Sequence, residues 1–79
     1  MNYEDGIIGI LQIVRDAQKK DLNQEFRITK QVLQAKFYRQ FPMVGKGVLD
    51  DLLEEINDRG WLLETGIILV FDPASFERL

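Results

Sequence analysis

Val48-Leu49-Asp50-Asp51-Leu52-Leu53-Glu54-Glu55-Ile56-Asn57-Asp58-Arg59-Gly60-Trp61 is the stretch whose reading decides the fold. At 100° per residue, Val48, Leu49, Leu52, Leu53 and Ile56 fall on one side of a helix. Asp50, Asp51, Glu54, Glu55 and Asp58 fall on the other. The spacing predicts a helix over about residues 46–59. Gly60 stands where such a helix needs a left-handed residue just past its end, with Ile56 and Trp61 at the two positions whose side chains commonly meet across that stop. A helix that is apolar on one side and carboxylate on the other must lay the first against a core.

Working toward the C-terminus, Trp61-Leu62-Leu63-Glu64, the pair Thr65-Gly66 and Ile67-Ile68-Leu69-Val70-Phe71 read as a β-hairpin whose second strand is rich in β-branched residues. Thr-Gly is a weaker two-residue turn signal than Asn-Gly, which leaves room for a longer loop. Asp72-Pro73 ends the strand, and residues 74–79 form at most a short tail helix. Toward the N-terminus, Pro42-Met43-Val44-Gly45-Lys46-Gly47 is a glycine-bearing tight turn of the kind that joins two crossing helices. Gly45-Lys46-Gly47 lacks the glycine spacing and Gly-Lys-Ser/Thr ending of a phosphate loop, so its role is a turn. Before it, Leu33, Phe37 and Phe41 recur at i, i+4, i+8 and predict a helix over 30–40 that stops ahead of Pro42. Thr29 suits the N-cap, and Ile28 with Leu33 has the spacing of a hydrophobic staple. Glu25-Phe26-Arg27-Ile28 alternates like a very short strand. Ile7, Ile10, Leu11, Val14 and Ala17 form a helical stripe that predicts a first helix over 4–19. Ile8 and Ile13 lie off that stripe, so the helix is apolar over more of its circumference than one core contact requires.

The chain of 79 residues is 46% apolar and 29% charged, the balance of a globular domain, and one domain over residues 1–79 is expected. Its apolar positions are interrupted too often to span lipid. Zero Cys and zero His remove disulfides, thiolate nucleophiles, Cys/His zinc sites and imidazole acid–base chemistry together. No nucleophile–base pair can be named, so no enzymatic activity and no cofactor are expected. The opening Met1-Asn2-Tyr3-Glu4-Asp5 lacks the basic segment of a secretory signal, which favours a cytoplasmic address. Net charge is −3, distributed as −2 over residues 1–18, +5 over 19–46 and −6 over 47–79. Such a charge dipole suits a basic face for an acidic partner, an acidic face for a basic one, or head-to-tail self-attraction.

Helix, short strand, helix, tight turn, helix and β-hairpin is the order of a winged-helix domain, the helix-turn-helix variant with a small sheet. The stretch Val48 to Trp61 resembles the third helix of many winged-helix regulators, a Leu-rich helix closed by a charged residue, Gly and an apolar strand start. The resemblance spans about residues 4–71 and rests on pattern rather than on invariant residues. It implies a small α+β domain of three helices, a short strand and a C-terminal β-hairpin. In DNA-binding relatives the outer face of the third helix enters the major groove and the wing adds bases to phosphate. This chain departs from both, with five carboxylates on that helix and Glu64-Thr65-Gly66 at the wing. Bases in the groove are read mostly by Arg, Lys, Asn and Gln, and phosphate neutralisation supplies non-specific affinity, so such a face opposes DNA.

Two candidate surfaces follow. Asp50, Asp51, Glu54, Glu55 and Asp58 form a docking face for a protein with a basic surface, the plain alternative being a solvated helix face. Carboxylates i, i+4 apart on a helix, without a wrapping loop, are poor divalent-metal ligands, so no metal is expected. Lys30, Lys36, Arg39 and Lys46, within a segment that also holds Lys19, Lys20 and Arg27, form the rival surface. With Tyr38 and nearby glutamines it would let a winged-helix transcriptional regulator contact DNA phosphates. The plain alternative is dispersed surface lysines. Excess apolar surface on the first helix and the last strand is the motive for expecting a homodimer, the plain alternative being that both are simply core.

Overall fold

The computed structural model describes residues 2–18, 26–77 and 79. Lys19, Lys20, the polar connection at 21–24, Glu25 and Arg78 lie outside the described residues. Asn2 starts the first helix, its side-chain Oδ1 accepting the Asp5 N–H at 2.8 Å. Helix α1 (Tyr3–Gln18) buries Ile7, Ile10, Leu11 and Val14 of the predicted stripe, with Ala17 at its end half-buried. The two off-stripe isoleucines part company, since Ile13 is buried and Ile8 is exposed.

Strand β1 (Arg27–Thr29) runs directly into helix α2 (Lys30–Gln40). Thr29 serves both, ending the strand in extended geometry and accepting the Val32 N–H on Oγ1 at 3.2 Å. Ile28 and Leu33, the expected staple pair, are both in the core. Helix α3 (Val48–Asp58) begins two residues later than its periodicity suggests, because Gly45 to Gly47 are spent on the turn. Gly47 has no side chain to cap it. Tyr38 does that work from α2, its hydroxyl lying 2.6 Å from the Lys46 carbonyl and 3.2 Å from that of Gly45 and accepting the Leu49 N–H at 3.4 Å.

Past α3, Gly60 takes φ +77°, the Trp61 N–H donates to the Ile56 carbonyl at 3.1 Å, and the Gly60 N–H donates to Asn57 at 2.9 Å. This pair of bonds is the Schellman stop that the Gly60-Trp61 sequence predicts. Strands β2 (Leu62–Glu64) and β3 (Ile68–Phe71) form the hairpin, and β3 also pairs antiparallel with β1, giving a three-stranded sheet in the order β1-β3-β2. The hairpin loop is three residues, Thr65 to Ile67, rather than two, and the β2–β3 register is irregular between Leu62 and Glu64. Ile67 therefore leaves the strand. The tail helix is a single short 3₁₀ helix (Pro73–Phe76), which Asp72 caps by accepting the Ala74 N–H at 3.0 Å. Phe76 stacks on Phe26 with ring centroids 4.2 Å apart, closing the end of the sheet.

One core joins all these elements, with Ile10, Val14, Leu33, Phe37, Leu52, Ile56 and Phe71 essentially without exposure. Two glycines of α1 set how closely its neighbours approach. A Cβ on Gly6 would lie 2.7 Å from a Leu52 methyl, and one on Gly9 would lie 2.7 Å from the Phe41 ring. Because Leu52 projects from the side of α3 opposite Asp50 and Glu54, this contact on α1 fixes which side of α3 meets solvent. The chain is thus an α+β domain of three helices, a short strand and a C-terminal hairpin in one antiparallel sheet, an order compatible with a winged helix.

Candidate interaction surface

The acidic side of α3 is not uniform. Asp50, Asp51, Glu54 and Asp58 are exposed, while Glu55 is half-buried. Glu55 Oε1 accepts from Arg59 Nε at 3.2 Å, and the same guanidinium pairs with Glu4 at the start of α1. Arg59 also lies over the Trp61 ring, its central carbon 5.2 Å from the centroid. One residue past the last turn of α3 thereby ties three elements together. The hydrogen bonds that the Arg59 guanidinium donates to Glu4 and then to Glu55 hold it above its already high ordinary pKa. Glu55, expected on the docking face, is half-buried and its charge is shared with Arg59 in this clamp.

Asp50 faces α2, where Lys30 Nζ reaches it at 3.0 Å. Asp51, Glu54 and Asp58 carry no side-chain hydrogen bond or ion pair among the described residues. These three are the uncompensated negative charge of α3. Self-repulsion among exposed carboxylates is relieved by any cation that approaches, which makes this side of the helix attractive to a basic surface and repellent to phosphate.

The four bases of the rival surface are not brought together. Lys30 is at the first turn of α2 and spends its charge on Asp50. Lys36 and Arg39 are on another side of the helix, where they line a cleft with Ile13 and Asp16 of α1. Lys46 is exposed in the turn before α3. Tyr38, interspersed with them in sequence, is committed to the Gly45 and Lys46 carbonyls and to the Leu49 N–H.

Between α2, α3 and the hairpin runs an open groove of about 810 Å³. Leu53, Leu62 and Leu69 form its apolar part, and Asp50 and Glu54 stand along its α3 side. Ile67, in the hairpin loop, borders it with 86% of its surface exposed. Sequence periodicity missed this feature because Ile67 reads as the first residue of a buried strand. A second hollow, of about 440 Å³, lies between the start of α1 and the α2–α3 turn and includes Tyr3, Phe41 and Met43.

Among the described residues no group of three or more acidic side chains is placed to hold a metal ion, and no helix is long and apolar enough to cross a membrane. No known protein family, curated protein or solved structure matches the chain.

Proposed function

We propose that the chain is a non-enzymatic interaction module of winged-helix type that docks a protein bearing a basic surface, with α3 as the contacting helix. The helix order and the β1-β3-β2 sheet support the winged-helix assignment. One observation carries the function: Asp51, Glu54 and Asp58 are exposed and uncompensated on the helix that a DNA-reading relative would place in the major groove. The bases that would grip phosphate are meanwhile divided between two sides of α2, and Lys30 is already neutralised. Desolvating three carboxylates against a polyanion is costly, whereas against Lys and Arg it is offset by charge-assisted hydrogen bonds.

The test compares wild-type protein with the double variant Asp51→Lys, Asp58→Lys as baits in affinity capture from the native host, beside a titration with a 20-base-pair duplex at low salt. A protein retained by the wild type and lost by the variant, with no saturable duplex binding, is the expected result. A partner held equally by both baits, or a duplex bound with steep salt dependence and released by Lys36→Glu with Arg39→Glu, refutes the reading.

A further inference from the structure

The groove beside α3 narrows the partner to a chemical type; this step rests on the docking reading above. Its apolar floor is mainly half-buried Leu62, since Leu53 and Leu69, which also line it, are core residues at 7% and 2% exposure. Ile67 extends that floor outward as a ridge. Most exposed isoleucines on loops are free to fold back, but the Ile67 backbone is fastened: its carbonyl accepts the Lys30 N–H at 2.8 Å. That bond also satisfies one of the orphan donors at the start of α2, so the hairpin loop and the helix hold each other. A large apolar side chain is therefore displayed from a fixed main chain beside an apolar trough. Fixed apolar anchors beside a trough are what interfaces use, since little ordering entropy remains to be lost on binding.

Charge in the groove selects among occupants. Lys30 and Asp50 lie 3.0 Å apart and cancel. Gln31, Gln34, Asn57 and Thr65 supply uncharged polar groups around the edge. Glu54 is left as the single uncompensated charge of the groove among the described residues. An acidic or phosphate-bearing ligand would meet Glu54 without a counter-charge, and a purely apolar one would bury it unpaired.

We propose that this groove seats a short segment of a partner protein that places apolar side chains on Leu62 and Ile67 and reaches Glu54 with one Lys or Arg. The test is selection of a phage-displayed library of random 12-residue peptides on the full chain, followed by titration of the enriched sequences as synthetic peptides. Enriched peptides carry at least two large apolar residues and one base, and their amide shift changes map to the groove. Ile67→Asp and Glu54→Lys each weaken binding tenfold or more. Replacing the peptide's base by Glu restores affinity for Glu54→Lys. Both positions are exposed, and circular dichroism verifies that the variants fold.

Failure to enrich any peptide, enrichment of acidic peptides, or binding unchanged in both variants overturns the proposal. So does sedimentation showing that the groove is closed by a second copy, with Ile67→Asp converting a dimer to a monomer. Binding lost in Asp51→Lys, Asp58→Lys but kept in Ile67→Asp refutes the groove and leaves acidic-face docking standing. Insensitivity to all of these changes refutes both.

Discussion

Replacing Gly6 by alanine sets two effects of known size against each other. Glycine within a helix is about 0.5–1 kcal/mol less favourable than alanine, so a Gly6 facing solvent would gain that much on substitution. The added Cβ, however, would lie 2.7 Å from Leu52 Cδ1 and 3.0 Å from Cδ2, well inside van der Waals contact. The clash is with the flexible end of a leucine, so a rotation of Leu52 relieves part of it. Leu52 has no exposed surface, and it borders the hollow between the start of α1 and the α2–α3 turn, so the clash is relieved only in part. Overpacking of this kind costs about 1–3 kcal/mol, and the difference is a net loss of about 1 kcal/mol. In a domain of this length that lowers Tm by roughly 4–8 °C. Thermal and urea unfolding followed by circular dichroism measure it, with Gly45→Ala as the control, because nothing lies within 4 Å of a Cβ at that position. If Gly6→Ala stabilises the protein by about 0.5–1 kcal/mol, α1 and α3 do not approach as described, and the orientation of the carboxylate face loses its cause.

Gly60→Ala forces a side chain into φ +77° and is expected to cost about 1–2 kcal/mol, with Gly60→Asn costing less, both read from urea midpoints. Phe37→Ala, at a position with no exposure, removes about 3–5 kcal/mol and leaves the domain largely unfolded at 37 °C by near-ultraviolet circular dichroism. Tyr38→Phe keeps the ring against Phe37 but deletes the hydroxyl that joins the turn to α3, a loss of about 1 kcal/mol with faster hydrogen exchange at the Leu49 amide. The Arg59 guanidinium is held above its ordinary pKa, so its contribution is fully present below the unfolded value and is lost only as pH rises beyond the raised folded one. Raising the pH from about 7 to 9 therefore leaves this clamp intact, whereas Arg59→Gln lowers Tm at both pH values by the same amount.

Sequence alone determined the elements whose signals are local. The amphipathic period of Val48 to Ile56, the glycine at 60, the threonine cap at 29 and the β-branched run of the second hairpin strand each depend on neighbours within a few residues, and each appears in the structure within one or two positions. It also placed the acids of α3 on one side, because 3.6 residues per turn is a property of the chain itself. What only tertiary structure decided is which of those acids remain uncompensated. Asp50 and Glu55 are chemically no different in sequence from Asp51 and Glu54, but α2 delivers Lys30 to Asp50, and Arg59 holds Glu55 together with Glu4 from the far end of the chain. The groove is of the same kind: Leu53, Leu62, Ile67 and Leu69 are separated by a helix end and a turn, and their common surface exists only once the hairpin loop is fastened to the start of α2. Helix period, caps and turns are short-range and written residue by residue. Ion pairs and hollows belong to the distances between elements, which are set by close approaches such as Gly6 on Leu52.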